Sequence, residues 1–411
     1  MRSLARPGPR RRGPSRARRV GGDGLPLACV IGDMDLIRPL GLAGIRCAAV
    51  AGTHDPVRFS RFTDALVEPH PMWEEPEAQV RELLRFGAAA VAPPVLFYEG
   101  DPDLLMISRH RDVLRDRFRF VIPAPELVED LVDKSRFRAL AERLGLPLPR
   151  THHLRPGAEP LPDDLELPLL VKPLIRLRGA WDRIGGGAKA RRVGTAEELR
   201  ELWGVLAGAG VDVLAQELIP GPESRIESYH AYVGADGRTV AEFTGAKIRT
   251  SPPAFGNSTA LTTTFAPDVT AMGRSILDRL GFTGVAKVDF KRAPDDTLML
   301  LEVNPRFNLW HHLAAVAGLN IPALVYADLV GRARPAVVSV PPGITWSAPW
   351  PDLRAFRAAG RSPVAWAAWT ARCDAVSGVA WDDPLPFLCG QLAPRIAGRL
   401  RRRRAPSAGG A

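Results

Sequence analysis

The fold is decided by Val285-Ala286-Lys287-Val288-Asp289-Phe290 and, after Ala293-Pro294-Asp295-Asp296, by Leu301-Glu302-Val303-Asn304-Pro305-Arg306. Apolar and polar residues alternate in both runs, and a turn-forming sequence separates them, which predicts a β-hairpin. Successive side chains of a strand point to opposite faces. When the two apolar faces pair, three oxygen-bearing side chains therefore converge on the other face, those of Asp289, Glu302 and Asn304.

Two carboxylates and an amide oxygen, with Lys287 beside them, favour a site for a divalent cation. Hard oxygen ligands suit Mg²⁺, which takes its remaining ligands from water and substrate phosphates. The alternative interpretation is a solvated hairpin face. Solvated faces rarely set two acids and an asparagine among apolar neighbours, so we favour the metal site.

Lysine is scarce in this chain, with six residues against 49 arginines. A lysine retained in such a sequence is expected where a compact point charge is needed, as in phosphate binding. Lys172 ends the apolar run Leu169-Leu170-Val171, where burial disfavours its charge unless an anion is near. Further on, Gly185-Gly186-Gly187 precedes Lys189, and a glycine run lets backbone amides approach phosphates. A flexible hairpin tip is the alternative for this run.

A second apolar strand, Val213-Leu214-Ala215, continues into Gln216-Glu217-Leu218-Ile219 and the turn Pro220-Gly221-Pro222-Glu223. Such a strand exit presents backbone N–H and C=O groups to a flat ring. Glu223 is placed to accept hydrogen bonds from sugar hydroxyls. An ordinary strand and turn is the alternative interpretation of this stretch.

The first quarter of the chain predicts parallel β-α-β units. Strands and helices alternate there, with strands expected at 27–32, 44–50 and 88–92 and helices at 36–42 and 80–86. The first turn, Gly32-Asp33-Met34-Asp35, lacks the G-x-G-x-x-G pattern of dinucleotide sites. We therefore expect a Rossmann-like domain without a cofactor.

The net charge of +10 belongs to the ends of the chain. Eight arginines lie in residues 1–24 and six in 395–411; without them and Asp23, the chain has 41 basic and 44 acidic residues. A nucleic-acid-binding fold is therefore not favoured, and no specific nucleic-acid partner is expected. At the C-terminal end, apolar residues lie beside arginines in the sequence, a pattern that is compatible with peripheral contact with an anionic membrane. The alternative interpretation is the solvated end of a helix. The four cysteines show no paired spacing, and the sequence shows neither a signal peptide nor an apolar run long enough to span a membrane. We therefore expect a cytoplasmic protein.

In order and spacing, these motifs resemble the ATP-grasp superfamily over residues 27–315. The resemblance includes Asp133-Lys134 before a helix that ends at Gly145-Leu146-Pro147-Leu148-Pro149. Within the superfamily the chain looks most like bacterial carboxylate–amine ligases, with D-aspartate-ligase-like enzymes nearby, through residues 245–253 and 381–387. The implied fold class is α/β (α+β), an ATP-grasp fold with an N-terminal Rossmann-like pre-ATP-grasp domain and a small C-terminal extension.

The resemblance also implies roles at the matched positions. ATP would be held by Lys134, Lys172, Gly185, Gly186, Gly187, Gln216, Glu217, Ile219 and Glu223. Mg²⁺, as two ions and with Mn²⁺ as an alternative, would be held by Asp289, Glu302 and Asn304. Catalytic roles would fall to Arg306 and to Lys287, which stands where many ligases have arginine. Four further residues are candidates for the substrate pocket because they share a strand face or follow the metal strand: Lys247, Arg249, Trp310 and His311.

The predicted domain organisation has six parts. They are a disordered basic tail (1–24), a Rossmann-like pre-ATP-grasp domain (25–125), an ATP-grasp lid and nucleotide subdomain (126–230), a metal and substrate subdomain (231–335), a C-terminal extension without an assigned fold (336–394) and a second basic tail (395–411).

The activity implied by the resemblance is ATP-dependent joining of a small-molecule carboxylate to a small-molecule amine through an acyl phosphate, with release of ADP and phosphate. The sequence shows no Ser/His/Asp or Cys/His nucleophile pattern, which agrees with a reaction that needs none. An ATP-grasp carboxylase or phosphotransferase, or a non-catalytic nucleotide-binding protein, are the alternatives.

Overall fold

The computed structural model of the chain describes residues 24–174, 180–185 and 188–404. Within these ranges the strands form one parallel sheet, one antiparallel sheet and a larger, mostly antiparallel sheet. The α/β class predicted from the sequence is therefore confirmed. The tail predictions for 1–23 and 405–411 lie outside the described residues, as do those for Gly186 and Gly187.

The N-terminal sheet is parallel, with its strands in the order β3-β2-β1-β4. Its elements, in chain order, are β1 (Ala28–Ile31), α1 (Met34–Leu42), β2 (Cys47–Val50), β3 (Thr63–Val67), α2 (Pro76–Ala89), β4 (Val95–Tyr98), α3 (Asp101–Arg109) and α4 (Arg111–Arg115). Strands β1, β2 and β4 are buried along their whole length, as is typical of parallel sheets. The β-α-β pattern predicted for this region is confirmed.

The strand predicted at residues 88–92 is wrong. Ala88 and Ala89 form the end of helix α2, and the strand follows later, at β4. A run of alanines is apolar enough to pass for a buried strand, but alanine is also the strongest helix former. The edge strand β3 was not predicted, and alternate residues of it are exposed.

A four-stranded antiparallel sheet, in the order β5-β8-β6-β7, follows the helices α5 (Pro125–Val132) and α6 (Lys134–Arg143). Its elements are β5 (Thr151–Leu154), β6 (Leu169–Pro173), α7 (Ala180–Ile184), β7 (Arg191–Val193), α8 (Ala196–Ala209) and β8 (Val213–Glu217). Thr195 caps α8 by accepting from the backbone N–H of Glu198. The buried leucines of α8 join a separate hydrophobic core under this sheet.

The central sheet has seven strands in the order β13-β12-β9-β10-β11-β14-β15. Its elements are β9 (Ile226–Val233), β10 (Thr239–Ser251), β11 (Asn257–Thr264), α9 (Pro267–Arg279), β12 (Gly284–Arg292), β13 (Leu298–Asn304), α10 (Trp310–Val316), α11 (Ile321–Val330), β14 (Thr345–Ser347) and β15 (Ala375–Val376). The predicted hairpin is confirmed: Lys287 pairs with Asn304 and Asp289 with Glu302. Strand β9 flanks β12 on the other side.

Residues 336–394, for which the sequence predicts no fold, dock through buried carboxylates. They supply β14 and β15 and continue into α12 (Pro349–Ala358), α13 (Pro363–Thr370), a π-helix (Pro386–Leu392) and α14 (Ala393–Arg404). Asp352 is fully buried and accepts hydrogen bonds from Arg249, Thr259 and Ser347. Asp383 accepts from the Ser60 hydroxyl and from the backbone N–H of Arg61, which ties the extension to the N-terminal region.

A third buried carboxylate, Asp35 of α1, joins three parts of the chain. Its oxygens accept from the Trp346 indole (3.0 Å) and the Ser377 hydroxyl (2.6 Å), and Nδ1 of His312 lies 2.7 Å away. The N-terminal helix is thereby held to α10 and to the two last strands of the central sheet.

Within the described ranges, no single helix is long and apolar enough to cross a membrane. Helices α10 and α11 reach that length and composition only together, as a pair bent by 92°.

Candidate active site

A cleft lies between the small antiparallel sheet and the central sheet. Its larger lobe has a volume of about 350 Å³ and its smaller lobe about 120 Å³. Both lobes are lined by Lys172, Lys189, Gln216 and Glu302. The two lobes therefore meet at a border of two ammonium groups, a carboxylate and an amide.

Lys172 is held by polar neighbours on the floor of the cleft. Its Nζ donates to Oε1 of Gln216 (2.6 Å), and Nε2 of Gln216 donates to the Thr151 hydroxyl (3.0 Å). Burial lowers the pKa of Lys172 to about 8, and the ammonium groups of Lys134 and Lys247 act in the same direction. An anion in this cleft would restore the charged form.

Lys134 begins helix α6 and reaches the same cleft. Its Nζ donates to the backbone oxygens of Pro173 (2.9 Å) and Leu174 (3.3 Å), at the end of strand β6. The amine is therefore positioned beside Lys172 in the larger lobe.

The described part of the glycine run lies against a buried tryptophan. Nε1 of Trp181 donates to the backbone oxygen of Ala188 (3.0 Å), and a Cβ on Gly185 would lie 2.7 Å from that indole nitrogen. Only glycine therefore fits at 185 without displacing Trp181. Lys189 follows at the cleft wall.

The smaller lobe is formed largely by the exit of strand β8. Gln216, Glu217, Ile219 and Glu223 line it. Nζ of Lys291 donates to the backbone oxygens of Gly221 (2.8 Å) and Pro222 (2.9 Å), which fixes the turn before Glu223. Two further side chains of the central sheet, Lys247 and Asp289, reach this lobe.

Asp289 and Glu302 lie side by side at the border of the lobes. Asp289 is buried, and one of its oxygens accepts from the Ser228 hydroxyl, while the other lies 2.7 Å from Nζ of Lys287. Oε1 of Glu302 accepts from Nδ2 of Asn304 (3.1 Å). Desolvation acts to raise the pKa of Glu302, but the ammonium groups of Lys287 and Lys189 bring it well below its ordinary value.

This donor set fits a hard divalent cation. Two adjacent carboxylates repel each other, and here the nearest compensating charge is the ammonium of Lys287. Carboxylate and amide oxygens are the donors that Mg²⁺ prefers. In the part of the chain that the structure describes, no three His, Cys, Asp or Glu side chains converge as a metal centre. The candidate site therefore consists of two carboxylates and the amide oxygen of Asn304.

The N-terminal sheet supplies an acidic edge opposite these groups. Arg306 donates through Nε to Asp101, and its Nη2 lies 3.4 Å from Oδ1 of Asn304. Glu99, at the end of β4, accepts from the backbone N–H of Asp33 (2.6 Å). Burial, with the neighbouring Asp33, raises the pKa of Glu99 well above its ordinary value. Arg306 is thus the link between the metal-site residues and the acidic edge.

Three of the four proposed substrate residues do not reach the cleft, and the expectation for them is corrected. A bulge in β10 pairs Lys247 with Leu261 but Arg249 with Ala260, so the two side chains point to opposite faces. Arg249 instead pairs with Asp352, and its guanidinium lies 4.3 Å and 4.7 Å from the ring centroids of Phe356 and Trp369.

Trp310 and His311 are buried in the core rather than exposed to the cleft. Trp310 packs over Gly245, where a Cβ would lie 2.2 Å from the indole ring. Nδ1 of His311 lies 2.8 Å from the backbone oxygen of Asn308, which locates the ring at the start of α10. Of the four, Lys247 alone lines the cleft.

Two polar residues at the cleft were missed by sequence reasoning. Ser228 reaches Asp289 across the β9–β12 pairing, and Asp101 reaches Arg306 from the start of helix α3. The apolar alternation of β9 hints at an inward-facing serine, but nothing local in the sequence links Asp101 to Arg306, which lies 205 residues further on.

Comparison with known proteins agrees with this geometry. Residues 211–348 match the family described as ATP-grasp in the biosynthetic pathway with Ter operon. The chain is 25% identical over 291 residues to D-aspartate ligase of Enterococcus faecium (strain Aus0004), covering 67% of this chain and 68% of that one. It is 27% identical over 218 residues to D-alanine–D-alanine ligase of Pseudomonas fluorescens (strain Pf0-1), covering 48% of this chain and 62% of that relative, less than two thirds of its length.

Solved structures show the same fold. L-amino acid ligase from Bacillus licheniformis superposes with a TM-score of 0.57 at 17% identity, covering 75% of each chain. The ADP complex of purK, an N5-carboxyaminoimidazole ribonucleotide synthetase, gives a TM-score of 0.59 at 14% identity, covering 77% of this chain and 81% of that one. The chain therefore has the ATP-grasp fold. Its sequence relatives are ligases, and among ATP-grasp proteins it is similar to the carboxylate–amine ligases.

Proposed function

We propose that the protein uses ATP to join a carboxylate to an amine through an acyl phosphate. The observation that carries the proposal is the meeting of the two lobes at Lys172, Lys189 and Glu302. A nucleotide in the smaller lobe would direct its phosphates past these groups into the larger lobe. There they would reach Arg306 and the acidic edge of the N-terminal sheet.

The nucleotide would be held by residues of the two lobes. Lys134 and Lys172 would bind the α- and β-phosphates, with the glycine run at 185–187 over the β- and γ-phosphates. Gln216, Glu217 and Ile219 would face the adenine, and Glu223 the ribose. The lowered pKa of Lys172 supports this assignment, because a desolvated ammonium is stabilised by an adjacent anion.

Asp289, Glu302 and Asn304 would hold Mg²⁺, as two ions, with Mn²⁺ as a substitute. When bound, the cation neutralises phosphate charge that the lysines alone leave uncompensated. Ser228 orients Asp289 through its hydroxyl, and Lys287 holds the second oxygen of the same carboxylate.

The chemistry then needs positioning and charge neutralisation rather than a protein nucleophile. A substrate carboxylate oxygen attacks the γ-phosphorus, the bond from that phosphorus to the β–γ bridging oxygen breaks, and ADP leaves. The nitrogen of an uncharged amine attacks the acyl carbon, the carbon–oxygen bond to phosphate breaks, and inorganic phosphate and a proton are released. Lys287 and Arg306 would stabilise the negative charge that develops in both steps.

The sequence relatives, a D-aspartate ligase and a D-alanine–D-alanine ligase, favour an amine over bicarbonate as the second substrate. Since carboxylases share the fold, the fold alone does not separate a ligase from the carboxylase alternative.

The test is an ADP-release assay across carboxylic acids and amines, with Mg²⁺ present or removed by chelation. Hydroxylamine should capture the acyl phosphate as an acyl hydroxamate when acid and ATP are supplied without an amine. Glu302→Gln should abolish both signals while the circular dichroism spectrum stays unchanged. The matched control is Glu159→Gln, whose carboxylate is half-exposed at the surface beside Arg155.

Three outcomes would contradict the proposal. ADP release that needs bicarbonate and no amine would indicate a carboxylase, and a stable phosphorylated product would indicate a phosphotransferase. Nucleotide binding without ADP release for any substrate pair would indicate a sensor. Full turnover by Glu302→Gln would refute the metal assignment alone.

A further inference from the structure

The C-terminal extension leaves a cluster of large apolar side chains exposed. Five lie within eighteen residues of one another, and we call them the C-terminal patch: Val379 (36% exposed), Trp381 (100%), Leu385 (51%), Leu388 (45%) and Ile396 (50%). Single exposed apolar residues need no explanation, but five so near one another in the chain favour an interaction surface. A fully exposed tryptophan is the strongest single member of the cluster.

The patch rests on a packed support. Gln391, in the π-helix, accepts from the Trp350 indole (3.1 Å), and Phe387 stacks parallel to Trp350 with ring centroids 6.2 Å apart. On its other side the π-helix contacts the 3₁₀-helix Pro56–Phe59 of the N-terminal region, where a Cβ on Gly390 would lie 2.5 Å from Pro56. Leu388 is therefore exposed on an element that is itself fixed, and the other four patch residues lie on either side of that element in the chain.

Helix α13, which packs on α12, has the same character. Its sequence is Pro363-Val364-Ala365-Trp366-Ala367-Ala368-Trp369-Thr370, yet none of its residues is buried, and Val364 is 77% exposed. A helix this apolar is normally covered by another part of the protein.

The charge around this surface is positive and not neutralised within the extension. Residues 349–404 contain ten arginines, four aspartates, no lysine and no glutamate. All four aspartates are engaged by hydrogen bonds or ion pairs in the fold: Asp352, Asp374, Asp382 and Asp383. Among the described residues, no ion pair involves Arg354, Arg357, Arg361 or Arg372. An excess of six positive charges thus accompanies the exposed apolar side chains.

We propose that the C-terminal extension docks on an anionic lipid membrane, with the C-terminal patch at the boundary of the acyl chains and the arginines on headgroup phosphates. An exposed tryptophan and aliphatic side chains beside a basic helix are the chemistry that recognises such a surface. A second copy of the chain fits worse, because two such surfaces would set arginine against arginine. A nucleic acid would engage the arginines but leave the aliphatic side chains without a partner.

The experiment is co-sedimentation of the full chain with vesicles of phosphatidylglycerol in phosphatidylcholine, and with vesicles of phosphatidylcholine alone. The protein should sediment with the anionic vesicles only, and less so as salt is raised. Leu388→Asp should weaken partitioning by about tenfold or more, since it removes the transfer of one leucine from water. Arg401→Gln should weaken it by about fivefold.

The control is Val91→Asp, a more exposed apolar position (90%) in the N-terminal region, which should sediment like the wild type. Equal binding to neutral vesicles, or anionic binding unchanged in Leu388→Asp, would overturn the proposal. Analytical ultracentrifugation that shows an oligomer broken by Leu388→Asp would assign the surface to a second copy instead. Competition by RNA that depends on Leu388 would assign it to nucleic acid. None of these results depends on the ligase reaction, which the ADP-release assay tests separately.

Discussion

Nucleotide binding should take up protons near pH 8 because of Lys172. Burial lowers its pKa to about 8, so that in the free protein about half of the molecules carry a neutral amine at that pH. A bound triphosphate stabilises the ammonium, and the neutral half must then gain a proton. We therefore expect an uptake of about half a proton per nucleotide from this residue.

Lys189 should add to the same uptake. Burial lowers its pKa in the same direction, although more than a third of the residue's surface is open to solvent, which lessens the desolvation. The difference between the wild type and a Lys172 variant isolates the contribution of Lys172. Above pH 8 the dissociation constant of the wild type should rise about tenfold per pH unit for each lysine that must be charged.

The assay is isothermal titration calorimetry with a non-hydrolysable ATP analogue, in buffers that differ in ionisation enthalpy. Lys172→Arg keeps a positive charge but does not titrate in this range, so its proton uptake should fall by about half a proton while binding persists. Lys172→Met should lose the same uptake and bind more weakly by about 2 kcal/mol, the contribution of a charged hydrogen bond. Apparent enthalpies that do not vary with the buffer at pH 8, in the wild type, would refute the reasoning.

Two further predictions concern stability. Arg249→Met should lower the free energy of unfolding by about 3 kcal/mol, because it leaves the buried Asp352 carboxylate without its counter-ion. Nucleotide affinity should stay unchanged. Unchanged urea denaturation together with a changed KM for the substrate would instead place Arg249 in the substrate pocket. Asp103→Asn should stabilise the protein at pH 8 but not at pH 4. Burial raises the pKa of Asp103 to about 6, so the free energy of unfolding of the wild type falls by about 3 kcal/mol as the pH rises from about 4 to 6. The variant has no carboxylate at this position and should show no such fall. Parallel urea unfolding curves for both proteins across that pH range would contradict this.

The hairpin could be predicted because its determinants are local. Alternation of apolar and polar residues sets the two faces, so about twenty residues of sequence suffice to bring Asp289, Glu302 and Asn304 to one face. The same local reasoning fails at β10, where one bulge reverses the direction of Arg249 relative to Lys247. Neither Lys247 nor Arg249 is a residue type that marks a bulge, so the sequence gives no local sign of it.

Long-range contacts explain most of the remaining differences. The C-terminal extension had no predictable fold because its order depends on carboxylates that meet distant partners, as Asp383 meets Ser60 across 323 residues. The same holds for Asp101 and Arg306, which join the acidic edge to the metal-site residues. His311 and Trp310 follow the metal strand in sequence, but helix α10 turns them into the core.

The sequence by itself determined the chemistry available to this protein: that the hairpin forms, which of its carboxylates share a face, and that all six lysines lie between residues 134 and 291. These properties depend on the two-residue repeat of strands and on residue type, which act over short distances. The tertiary structure alone decided which polar groups face one another, and with them the burial that lowers the pKa of Lys172 and raises that of Glu99. Burial and electrostatic contact arise only when distant segments pack together, and no local pattern in the sequence contains them.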